Sequence, residues 1–118
     1  MPDKFTEARH PAEFVLSEAN GKRSRGQVTV AAAQDLPPGT IFQLAAGKAV
    51  GFGGDSDDTV AGILLYPADT TVAEVDVATL VRDAEVNSAI LSVPEDDSDG
   101  TVLAAGIAQL AALGIIAR

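Results

Sequence analysis

Turn-forming residues cut this chain into short apolar runs, and that spacing limits what it can fold into. Asn20-Gly21, Asp35-Leu36-Pro37-Pro38-Gly39, Gly51-Phe52-Gly53-Gly54 and Tyr66-Pro67-Ala68-Asp69 each break any regular element. The runs between them carry strand patterns. Gln27-Val28-Thr29-Val30-Ala31 alternates with period two, as a half-buried strand does. Thr40-Ile41-Phe42-Gln43-Leu44 predicts the next strand, which returns through Ala49-Val50 after a hairpin tip at Ala46-Gly47-Lys48. Thr59 to Leu65 is an apolar strand whose Gly62 predicts a bulge or a close backbone approach. Thr71 to Arg82 alternates and is expected to be mostly strand, and Ala89-Ile90-Leu91-Ser92-Val93 predicts another, stopped by Pro94.

The last third changes period. Leu103, Ile107 and Leu110 recur at helical spacing within Thr101 to Leu113, and Gly114 supplies a C-terminal cap. The acids from Glu95 to Asp99 favour a helix start through the macrodipole, with Ser98 or Asp99 as the cap. Gln109 is the clearly polar side chain of this stretch. A helix apolar almost all round is expected to be buried on more than one side, against the core and against a subunit partner. Ile115-Ile116 then predicts a short terminal strand. The fold class is therefore mainly β with one α-helix (α+β), behind an N-terminal arm.

Two segments are expected: an arm over 1–26 and a β-rich body over 27–118. Charge divides at the same place. The arm holds five cations and four acids, and the body three cations and thirteen acids, within a chain of net charge −9. Before Glu13 the arm has little core-forming pattern. Glu13-Phe14-Val15-Leu16-Ser17-Glu18 is a short apolar run between acids, isolated from its neighbours and able to form a strand. Lys22 to Gly26 reads as a solvated basic loop or a contact for an acidic partner.

Composition excludes several classes of function. The chain has 118 residues, enough for one domain with a core of its own. It has no cysteine and one histidine, His10, which removes disulfides, thiol catalysis, Cys-ligated zinc and multi-histidine metal sites. The negative charge argues against nucleic acid as a partner, which needs a basic footprint. No apolar run approaches ~20 residues, so no membrane span is expected, and the N-terminus lacks the apolar stretch of a secretory signal. Hydrophobic residues make up 47% but aromatics 4%, so the large anchors typical of ligand pockets are few.

Local constellations point nowhere stronger. Glu95, Asp97, Asp99 and Gly100 match the start of a calcium loop, but Gly106 stands where the bidentate Glu is required. Gly51-Phe52-Gly53-Gly54 lacks the third glycine and the following helix of a dinucleotide site. A triad through His10 would place its base beside Pro11, in the arm. Lys48 at a hairpin tip is similar to the attachment lysine of biotinyl and lipoyl carrier domains, without their flanking residues. That leaves a small β-barrel carrier or ligand-binding module as the alternative function. No catalytic residue, metal or cofactor is expected.

The order of several segments carries a resemblance. Ser17-Glu18-Ala19-Asn20-Gly21, Arg23-Ser24-Arg25 and Val28-Thr29-Val30-Ala31-Ala32 form one stretch, continued by Gly39-Thr40 and Ala61-Gly62-Ile63-Leu64. Arg82-Asp83-Ala84-Glu85-Val86-Asn87 and Leu110-Ala111-Ala112-Leu113-Gly114-Ile115-Ile116 follow. Together they resemble the bacteriophage lambda-type head decoration proteins over nearly the whole chain from about Thr6. The resemblance implies a non-enzymatic capsid protein of the virion, made in the host cytoplasm. It implies a homotrimer on the outer surface of the expanded head, at local threefold positions, bracing the shell against packaged DNA. It implies a small β-barrel-like or β-tulip body with a mobile N-terminal arm that orders on the major capsid protein by adding a strand. Glu13, Phe14, Val15, Leu16 and Ser17 are the candidate contacts of that arm, and Leu103, Ile107 and Leu110 those of the trimer or the core.

Overall fold

The computed structural model describes residues 12–21, 23–54, 58–93 and 100–118. Ten strands and one α-helix occur among them: β1 Val15–Glu18, β2 Arg25–Val30, β3 Asp35–Leu36, β4 Ile41–Ala45, β5 Lys48–Gly51, β6 Val60–Leu64, β7 Ala68–Asp69, β8 Val75–Leu80, β9 Ala84–Val86, α1 Thr101–Ala112 and β10 Ile115–Ala117. The fold is mainly β with a single helix, as expected.

Five strands close into a barrel in the order β2-β5-β4-β6-β8. β4 and β5 form the expected hairpin, with Ala45 opposite Lys48. Its turn residues Ala46 and Gly47 take positive φ of 53° and 82°, so Lys48 starts the returning strand beside the tip. Adjacent residues of the wall feed two different cores. Phe42, Leu64 and Val77 fill the barrel with Val30 and Ala49. Ile41, Ile63 and Leu80 point the other way, into a second core under α1 that also holds Phe14, Phe52, Leu110 and Ile115. Burial on both faces explains why β6 reads as a continuous apolar run rather than an alternating one.

Gly62 is required by a close approach. A Cβ there would lie 2.5 Å from the Leu80 carbonyl oxygen and 3.1 Å from the Phe42 ring. The ladder between β4 and β6 also slips between Phe42 and Gln43, so the bulge and the close approach expected at this glycine both occur.

A second sheet has the order β1-β9-β10, with β9 antiparallel to β1 and parallel to β10. The Glu13–Glu18 run therefore has neighbours within this chain, contrary to the expectation that it stands isolated. The signal was absent because Val15 pairs with Val86, far along the sequence. Two of the expected turns also pair with each other, Asp35 opposite Asp69 and Leu36 opposite Ala68. Thr70, fully buried, holds this small sheet in place. Its hydroxyl accepts the Gln34 amide at 2.8 Å and donates to the Ala31 carbonyl.

Two expected strands are corrected. The 71–82 run is strand only over β8. The Asp69 carboxylate accepts the Thr71 amide at 3.2 Å and its hydroxyl at 2.8 Å, a local side-chain turn that delays the strand. The 89–93 run begins instead as a 3₁₀ turn over Ser88–Ile90, because the Asn87 side chain caps the Ala89 amide at 3.0 Å. From that run Ser92 alone bridges to Thr40.

Helix α1 starts after Gly100 in the left-handed conformation, without a side-chain cap. The cap expected at Ser98 or Asp99 lies outside the described residues. Gly114 ends the helix as expected, at φ 81°. A Cβ on it would also meet the Asp83 carboxylate at 2.8 Å. The helix packs through one side. Leu110 and Gly106 are buried, Leu103 and Ile107 half-buried, and Ala104, Ala108 and Ala111 face solvent. Its all-round apolarity thus comes from alanine, which tolerates water, and not from a second buried face within this chain. No helix among the described residues is long and apolar enough to cross a membrane.

Candidate functional site

The five residues expected to meet a partner surround β1. Glu13 is exposed and Phe14 is 1% exposed, inside the core under α1. The Ala12 amide donates to the Leu65 carbonyl at 2.8 Å, and the Phe14 carbonyl accepts the Asn87 amide at 2.7 Å. Val15 is half-buried. The ladder to β9 then slips between Val15 and Ser17, which leaves Leu16 facing outward at 54% exposure. Ser17 stands opposite Glu85 and donates its hydroxyl to that carboxylate at 3.0 Å.

β1 lies at one edge of its sheet and β10 at the other. The outer face between them carries Leu16, Ser17, Glu85 and Ile116, with Ile116 also opposite Glu85. Arg118 grips Glu85 from the same side, its Nε at 2.8 Å. That contact, with the Ser17 hydroxyl, holds the Glu85 carboxyl below the usual carboxylate range. The face thus presents two aliphatic side chains on either side of a neutralised carboxylate.

Arg25 anchors the far end of β1. It binds Glu18 through two nitrogens, at 2.6 and 2.9 Å. This two-pronged contact lowers the Glu18 carboxyl below its ordinary range and raises the guanidinium. Ser24, fully buried, accepts the Ala19 amide at 2.9 Å and donates to the Asp83 carbonyl at 2.8 Å. Arg23 pairs with Asp83 at 3.1 Å. The basic stretch read as a solvated loop is therefore partly a clamp, tying the β1–β2 turn to the β8–β9 turn.

The helix residues separate by depth. Leu110 is fully buried in the core, whereas Leu103 and Ile107 are half-buried at its margin. Two glutamines escaped the sequence reading as functional parts. Gln109 accepts the Val60 amide at 2.7 Å and donates to the Asp58 carbonyl at 3.2 Å. Gln43 donates to the Asp58 carboxylate and accepts the Gly53 amide, both at 3.0 Å. Together they fasten the two ends of the 55–57 loop, which itself lies outside the described residues. A lone polar side chain on an apolar helix was the signal for the first.

Lys48 is half-exposed and ion-paired with Glu74 at 2.6 Å. No group of His, Asp or Glu among the described residues is arranged to hold a metal ion. His10 and the Glu95–Asp99 acids lie outside the described residues. The depressions on the described surface are shallow and open. What the described residues offer chemically is strand edges, exposed aliphatic side chains and paired charges, which suit contact with another protein. No curated protein matches this chain. The family model described as bacteriophage lambda head decoration protein D matches residues 4–115, nearly the whole length: the chain belongs to that family of phage head components.

Proposed function

We propose that the chain is a non-enzymatic brace of the phage head. It binds the outer surface of the expanded shell as homotrimers at local threefold positions and resists the pressure of packaged DNA. Membership of the head decoration family across residues 4–115 is the observation that carries this reading. The partner is the major capsid protein, and neither nucleic acid nor membrane takes part.

The contact segment is residues 1–26, with Glu13 to Ser17 at its centre. Residues 1–11 lie outside the described residues. β1 supports the reading because it is an edge strand with Leu16 facing outward. An edge strand accepts a partner strand through backbone hydrogen bonds, and its alternate side chains select the pocket. Phe14 fixes the inner side of this segment, so the partner meets a strand already held in register. Three such edges on one trimer act together by multivalency. A protein that binds only the expanded shell stabilises that shell by mass action, and no chemical step is needed. Leu103 and Ile107, at the helix margin, are the candidate trimer contacts of α1, and Leu110 serves the core.

The test uses DNA-filled heads of the same phage stripped of this protein. Adding the protein back is expected to raise the temperature at which the heads release DNA. Release at the same temperature with and without it overturns the reading.

A further inference from the structure

Asparagine is among the chemically labile side chains, and the fold treats the two asparagines of this chain, Asn20 and Asn87, in opposite ways. Asn87 is half-buried and held. Its side-chain oxygen accepts the Ala89 amide at 3.0 Å. The backbone nitrogen that follows it, on Ser88, donates to the Arg118 carbonyl at 3.0 Å. Asn20 is exposed, in the turn between β1 and β2. Among the described residues, neither its side chain nor the Gly21 amide takes part in a hydrogen bond.

Gly21 also leaves the approach open. It is exposed, stands at φ 67°, and a Cβ built on it would meet nothing within 4 Å. With no side chain of its own, its backbone nitrogen can be approached closely. The turn around the pair is nevertheless fixed. The Ser24 hydroxyl accepts the Ala19 amide at 2.9 Å, and Arg25 binds Glu18 through two nitrogens. Asn20 and Gly21 thus lie within a loop clamped on both sides, with the reacting atoms bare to water.

We propose that Asn20 is a site of spontaneous deamidation and isoaspartate formation. The Gly21 nitrogen gives its proton to hydroxide and attacks the carbonyl carbon of the Asn20 side chain. The new carbon–nitrogen bond closes a succinimide ring. The bond from that carbon to the side-chain nitrogen breaks, and the nitrogen leaves as ammonia with a proton taken from water. Water then adds to the ring. Opening at the side-chain carbonyl leaves aspartate. Opening at the main-chain carbonyl leaves isoaspartate, whose backbone runs through the former side chain. Either product exchanges a neutral amide for a carboxylate, using nothing but water. Isoaspartate also lengthens the main chain inside the clamped loop, beside the Glu18 end of β1. The reaction belongs to the chain itself and does not rest on the proposed function.

The folded wild-type protein is treated with hydroxylamine, which cleaves succinimides, and a second portion is aged in mildly alkaline buffer. Hydroxylamine is expected to cut the native chain into 1–20 and 21–118. Ageing is expected to make the tryptic peptide 10–22 heavier by the exchange of an amino group for a hydroxyl, in separable aspartate and isoaspartate forms. The peptide 83–118, which holds Asn87, should gain that mass at least tenfold more slowly. Isomerisation at Asp99-Gly100 in the same peptide leaves the mass unchanged and does not enter the readout. Cleavage and ageing at Asn20 seen in urea but not in the folded chain would overturn the inference, because the turn would then shield the amide. Aspartate formed without isoaspartate would overturn it too, since water would be attacking the side chain without the ring.

Discussion

Phe14 is 1% exposed, with its carbonyl bonded to the Asn87 amide. Its side chain belongs to the core shared with Leu110 and Ile115. Truncating a buried phenylalanine removes apolar burial and leaves a cavity, at a cost of about 3–5 kcal/mol. Phe14→Ala is therefore expected to lower the unfolding free energy of the isolated protein by that amount, read as a lower urea midpoint with the slope unchanged. Unaltered stability would mean that the segment is loose until it meets a partner. Gly62 makes the complementary case, because an added methyl has no room against the Leu80 carbonyl at 2.5 Å. Gly62→Ala is expected to destabilise by about 1–3 kcal/mol through overpacking, measured by the same denaturation. A neutral substitution would show that β6 and β8 shift apart without strain.

Among the elements, β1 is held at both ends, by Phe14 and by the Glu18–Arg25 pair. The pair leaves the Glu18 side chain 24% exposed, so its contribution is that of a partly screened surface bridge, up to about 1 kcal/mol. Its pH dependence has a definite sign. The Glu18 carboxyl titrates below its ordinary range in the folded chain. Its contribution is full above the unfolded value of about 4.3 and fades as pH falls through the lower folded value. Wild type is expected to exceed Glu18→Gln in stability at pH 7, with the gap closing as the medium is acidified below pH 4. A gap that does not change with pH would remove the charge from the account. The elements that were legible in the sequence, β2, the β4–β5 hairpin, β6 and α1, owe their form to local pattern and local turns. The β1–β9 and β3–β7 pairings were not legible, because they join residues far apart whose own segments read as a lone run or as turns. The candidate site divides the same way. An apolar run at 13–17 could be picked out, but a bulge decides that Leu16 faces outward and Phe14 inward.

At the scale of the whole molecule, the division of charge acquires a shape. Three of the arginines, Arg23, Arg25 and Arg82, gather where the β1–β2 turn meets the end of β8, two of them paired with acids. The rest of the body remains strongly acidic, which disfavours non-specific association between copies. Family membership makes the chain a phage head component, and its described residues expose strand edges and aliphatic side chains. The proposed role as a brace requires recognition of one state of the shell. Co-sedimentation with expanded and unexpanded shells of the same phage tests that requirement most directly. The account predicts saturable binding to expanded shells alone, weakened by deleting residues 1–11, a deletion that leaves Phe14 and β1 in place. Equal binding to both kinds of shell, or binding indifferent to that deletion and to Leu16→Asp together, would contradict it.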